Sequence, residues 1–158
     1  MNTNILVLGV GNVIHQDDGA GVEALNRLRA GTAFPPHVRL MDGGTLGIEL
    51  LPYVQDATHL VLLDAIDVGA AAGTVIRMDG PELLNLPRPQ NAHQLGVADL
   101  LEAMRFTRGD LCPTVVVGVQ PHDTGWGVGL SPEVEAAMPT VVETALAALD
   151  SLGAFEHA

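Results

Sequence analysis

Short apolar runs alternate with amphipathic stretches along this chain. The segment 5-ILVLGV-10 is a block of mostly branched aliphatic residues, the pattern of a strand buried on both faces. The turn 9-GVGN-12 follows. Val22, Leu25 and Leu28 then recur at helical spacing, which predicts a helix from about Gly19 or Ala20. Asp17 and Asp18 lie just before it, where carboxylates can accept free amide hydrogens. After the loop 31-GTAFPPH-37 a strand is predicted over 38–41, running into the turn 42-DGG-44. Leu46, Leu50 and Leu51 predict a short helix ended near Pro52. The run 59-HLVLLDA-65 is a third buried strand, with Asp64 at its carboxyl end.

A Gly/Ala-rich turn, 69-GAAAG-73, leads to a strand over 74–78. The long segment 79–93 is broken by prolines and has room for one turn around Glu82 to Leu84. Val97, Leu100, Leu101 and Met104 share a face, so a helix is predicted over 97–106. The last strand is 114–120. Ser131-Pro132 then supplies a cap and a proline at the first helical position, starting a helix that runs to about Leu152 and stops at Gly153.

Strands alternating with helices give the βαβ pattern of an open sheet. The expected fold is a three-layer α/β/α domain spanning 1–158, with a twisted, mostly parallel sheet. Hydrophobic residues make up 47% of the chain and aromatics only 3%, so the core must be aliphatic, as suits strands covered on both sides. The seven basic residues are all arginines, against 19 acidic residues, for a formal charge of -12. That balance offers no basic footprint for nucleic acid or for an anionic membrane. No signal peptide or run of 18 apolar residues is present, so a cytoplasmic location is expected. The one cysteine, Cys112, excludes an internal disulfide, dithiol redox chemistry and a thiolate zinc knuckle.

The glycines of 9-GVGN-12 invite a dinucleotide reading, but the third glycine of G-x-G-x-x-G is Ile14 here, and a P-loop lysine is missing. Asp17 and Asp18 would also repel a pyrophosphate at that helix start. Four carboxylates, Asp17, Asp18, Asp42 and Asp64, fall at predicted carboxyl ends of strands, where ligands of open α/β sheets bind. Each can be read simply as a cap or a turn anchor, most readily Asp42 beside its two glycines. Asp64 resists that reading, because it directly ends an apolar run and a buried carboxylate needs a partner. His93, before the helix after the long loop, is either an ordinary loop residue or the nitrogen of an O,O,N metal site with Asp18 and Asp64. Such a donor set suits zinc or nickel better than calcium or magnesium. His122 is a second candidate ligand or substrate contact. Trp126 is either a surface contact or a core plug, and His15 is read as a loop residue.

The residues 5-ILVLGVGNVIHQDDGAGV-22, 41-MDGGTLGIELL-51, 60-LVLLDAI-66, 92-AHQLGVADLLEAMRF-106 and 115-VVVGVQP-121 together resemble the hydrogenase maturation endopeptidases, over nearly the whole length. The resemblance implies a twisted sheet flanked by helices. It also implies an endopeptidase that removes the C-terminal extension of a nickel-iron hydrogenase large-subunit precursor after nickel insertion. The family's metal-recognising trio corresponds to Asp18, Asp64 and His93, with Asp17 at an accompanying acidic position. Some members carry Glu where this chain has Asp18, a ligand one methylene shorter. Nickel is expected to arrive with the precursor. Asp17 would be either a base that orients water or a cap. The rim holding the precursor is expected from Arg88 to His93, 43-GGTLG-47 and 121-PHDTGWG-127. The alternative is a non-enzymatic, nickel-dependent accessory protein that binds the precursor without cutting it.

Overall fold

The computed structural model describes residues 2–86 and 96–155. Strands β1 (Ile5–Val10), β2 (Val38–Gly44), β3 (His59–Ala65), β4 (Val75–Asp79) and β5 (Thr114–Val119) form one sheet in the order β2-β1-β3-β5-β4. β1 pairs in parallel with β2 and β3, and β3 with β5; β4 runs antiparallel along β5 at the edge. The expected three-layer architecture is therefore present, with a mostly parallel sheet.

The strand period of two divides the aliphatic residues between two cores. Val7, Val61 and Val117 face α1 (Ala20–Gly31) and α5 (Pro132–Ser151), packing with Leu25, Leu28, Val141 and Leu149. Leu6, Leu8, Leu60, Leu62 and Val116 line the other face. Leu50, Leu100, Leu101 and Met104 cover them there, together with Val54 of α2 (Leu51–Val54), while α3 (Gly80–Leu84) and α4 (Gly96–Arg108) pack beside one another. Both faces of the central strands are dry, which is why their sequences are continuous apolar runs.

Several boundaries differ from the pattern reading for local reasons. β2 continues through Asp42 to Gly44, because Gly9 pairs with Asp42 and Val10 with Gly44 across a register shift. Pro52 begins α2 instead of ending a helix: it sits in the first turn, where its missing N–H costs nothing. The turn at Glu82 to Leu84 is a short helix held by a capping box, with Glu82 N–H donating to the Asp79 side chain at 2.8 Å. Ser131 caps α5 as expected, its side chain accepting from Val134 N–H. No helix of the described residues is long and apolar enough to cross a membrane.

The strand order creates the ligand crevice. From β1 the chain crosses to β2 on one side, and β3 lies on the other, so the connections after β1 and β3 part at the carboxyl edge between them. Asp18 follows β1 and Asp64 is the last residue but one of β3.

Candidate active site

A 3-10 turn, Gln16–Gly19, joins β1 to α1 and carries both Asp17 and Asp18. Successive residues of such a turn are about 120° apart, so the two carboxylates point in different directions. The turn sits tight against the sheet edge because glycines allow it. Gly11 has φ 133°, and a Cβ there would collide with the Asp18 carbonyl oxygen. A Cβ at Gly21 would collide with the carbonyl oxygen of Leu63, immediately before Asp64. These glycines bring the end of β1 and the start of α1 against the end of β3; for Gly11 this is the turn-making role read from 9-GVGN-12.

Asp18 is half-buried, and its Oδ2 accepts from the backbone N–H of Asn12 at 3.0 Å. The Asn12 side chain in turn accepts from Ile14 N–H at 3.1 Å, which stiffens the loop in front of the carboxylate. Asp64 pairs with Gly118 of β5 in the sheet register. Burial pushes the Asp64 carboxyl well above its ordinary range, the negative charge of Asp18 pushes it further, and the backbone N–H of Ala65 only partly offsets them. Asp18 and Asp64, both half-buried, thus meet at the crevice as two like charges close enough to repel. The chemistry of that donor pair fits a cation, since a positive charge between them would relieve both desolvation and repulsion. Among the described residues no group of three His, Cys, Asp or Glu is placed to hold a metal by itself.

Asp17 is placed differently. It is 0% exposed and its oxygens are taken up by four hydrogen bonds. Oδ2 accepts from His122 N–H at 2.9 Å, Asp123 N–H at 3.0 Å and the Ser131 hydroxyl at 2.7 Å, while Oδ1 accepts from Ser131 N–H at 2.7 Å. Burial alone would raise its pKa, but the bonds from Asp123, Ser131 and His122 outweigh it and hold the carboxyl below its ordinary value. An acceptor so fully occupied is a poor base. Of the two roles read for Asp17, the geometry supports the structural one, although its partners are not the amides of α1. No side chain caps α1, whose first residue follows Gly19 directly. The expectation that Asp17 and Asp18 cap that helix is corrected: Asp17 anchors the loop after β5, and Asp18 holds Asn12.

The other candidates separate cleanly. His93 and the stretch Arg88 to His93 lie outside the described residues. Asp42 anchors its own turn, accepting from Gly44 N–H at 2.8 Å, and Gly44 in turn accepts from Gly11 N–H at 2.8 Å. The His122 side chain is exposed, and the residue serves Asp17 through its backbone. Trp126 is not a core plug: it is 76% exposed. Its ring lies 4.3 Å from that of His15, a residue whose loop reading gave no hint of this pairing.

The model of the hydrogenase maturation protease family matches residues 22–148. The hydrogenase 2 maturation protease of Escherichia coli K12 is 39% identical over 151 residues, covering 94% of this chain and 92% of that protein. The hydrogenase expression/formation protein HupM of Azotobacter chroococcum mcd 1 is 40% identical, over 95% of this chain and 73% of its own length. The solved structure of the hydrogenase maturating endopeptidase HybD from E. coli superposes with a TM-score of 0.87 at 38% identity, covering 96% of this chain and 94% of that one. With its five-stranded mixed sheet and its carboxylates at the β1–β3 edge, this chain is a peptidase that belongs to the hydrogenase maturation protease family.

Proposed function

We propose that this enzyme removes the C-terminal extension of a nickel-iron hydrogenase large-subunit precursor once nickel is in place, and that Asp18, Asp64 and His93 recognise that nickel. The observation that carries the reading is the pair Asp18 and Asp64, two carboxylates at one crevice whose mutual repulsion and desolvation call for a cation. The metal belongs to the substrate. Two oxygen donors hold a transition metal weakly by themselves, so coordination completed by the precursor makes a loaded precursor the preferred ligand. Specificity then comes from a substrate that assembles its own site.

Nickel held by Asp18 and Asp64 would supply the Lewis acidity that polarises a scissile carbonyl or activates water. Asp17 takes no part in proton transfer in this account; it fixes the turn that presents Asp18. The reading thus makes the enzyme aspartate-dependent without an aspartic-protease dyad, and it places the enzyme in the cytoplasm, where a precursor would be processed. The non-enzymatic accessory role is the weaker reading, because the E. coli relative and its kin of known structure are named as a protease and an endopeptidase.

Intact mass of the precursor decides it. After incubation with the enzyme, a nickel-loaded precursor should lose its C-terminal peptide while the nickel-free form keeps its full mass. Equal cleavage of both forms would remove nickel recognition from the account, and cleavage of neither would restore the accessory role.

A further inference from the structure

The turn before Asp17 and the loop after β5 are joined into one unit. His15 forms a parallel bridge with Gly127. Gly127 N–H donates to Ile14 O at 2.9 Å, Gln16 N–H to Gly127 O at 3.0 Å, and Asp17 N–H to Asp123 O at 3.0 Å. His15 Nδ1 lies 3.1 Å from the Thr124 carbonyl oxygen, and the Gln16 side-chain amide faces the Asp123 carboxylate, to which its nitrogen donates once the amide is turned over. Beneath them Asp17 closes the unit from inside.

This braced unit turns apolar groups outward. Trp126 is 76% exposed, Val128 87%, Val13 50% and Ile14 45%. Here two backbone segments hold them out, and the Trp126 ring is buttressed by His15 at 4.3 Å. Rigid aromatic and aliphatic groups displayed together are the composition of a binding hot spot.

We infer that Val13, Ile14, His15, Trp126 and Val128 form a platform that takes an apolar, non-acidic segment of the precursor polypeptide beside its cleavage site. The inference rests on the function proposed above. Continuity with the carboxylates argues for this occupant: Ile14 N–H is bonded to Asn12, whose own N–H is bonded to Asp18. This loop therefore joins directly onto the segment that holds Asp18, within reach of a polypeptide bound there. Charge argues for the segment's character. The chain carries a net charge of -12, and no Lys or Arg lies between Asn12 and Asp18 or between Pro121 and Leu130 to attract an acidic peptide.

The test is the affinity of the full-length enzyme for nickel-loaded precursor, read as Kd separately from cleavage. Both Trp126→Ser and the pair Trp126→Ser/Val128→Ser should raise Kd roughly tenfold or more, the size expected for a hot-spot anchor. Phe106→Ser is the control: Phe106 is 91% exposed on α4, away from the carboxyl edge, and its loss should leave Kd unchanged. All variants should melt within a few degrees of wild type, because the replaced side chains are exposed. Wild-type Kd in the Trp126/Val128 variant overturns the platform, even if wild type cleaves. A platform that instead mediates self-association would show as a dimer by light scattering that the pair of substitutions dissolves, and that result also overturns it. Binding that depends on Trp126 without any cleavage would keep the platform and overturn the proposed function.

Discussion

Asp17 and Asp64 stand at the same sheet edge, and their environments are opposite. Asp17 is sealed from water with four donors on its oxygens, and its charged form is the favoured one. Asp64 is only half-buried, yet among the described residues the charge that acts on it is that of Asp18, and its charged form is disfavoured. Burial of a carboxylate is therefore no guide to its role. What separates an anchor from a site is whether the donors that compensate the charge are already present in the fold. Asp17 holds its own donors, whereas the Ala65 N–H only partly offsets the charge of Asp64.

The comparison can be broken by stability measurements. Asp17→Asn has the largest expected effect, because the new amide nitrogen would face backbone donors and leave buried groups unsatisfied. A loss of about 3 kcal/mol is expected in denaturant unfolding at neutral pH. The folded pKa of Asp17 is lowered, so its contribution is complete above the ordinary carboxylate pKa and fades as pH falls through the folded value. The gap between wild type and Asp17→Asn should accordingly narrow below about pH 4. A gap that widens there would mean that hydrogen bonding to the charged form is not what Asp17 supplies.

Ser131→Ala should cost less, about 1 kcal/mol, since it removes the cap of α5 and the hydroxyl bond to Asp17 but leaves the Ser131 N–H in place. Asp64→Asn should have the smallest effect on melting and the opposite sign. The raised pKa of Asp64 means that the folded state loses stability as pH climbs from the ordinary carboxylate range toward the folded value. The substitution should raise Tm slightly at neutral pH and leave it unchanged below about pH 4. A fall in Tm at neutral pH would show that Asp64 is an anchor after all.

Much of this was legible before the structure. Asp64 declared itself by ending an apolar run, because a charge at the end of a buried strand has few ways to be satisfied. The sheet edge followed from the strand–helix alternation, and the cap of α5 from Ser131-Pro132. The role of Asp17 was not legible, since its partners lie 105 to 114 residues away and two of them use only backbone N–H groups, which no side-chain pattern reveals. The His15–Trp126 pair was hidden for the same reason: tertiary pairing of two irregular loops leaves no period in the sequence. Pro52 misled because a proline stops a helix from inside but starts one from its first turn, and four residues give too little periodicity to tell which.

The most direct test joins function to this contrast. Asp64→Asn enzyme, shown to melt at or above the wild-type temperature, is incubated with nickel-loaded precursor, and the intact mass of the precursor is followed. The account predicts that the precursor keeps its full mass while wild type trims it under the same conditions. Removal of the C-terminal peptide by Asp64→Asn at the wild-type rate would contradict the claim that the uncompensated carboxylate at the end of β3 is what the fold reserves for its substrate.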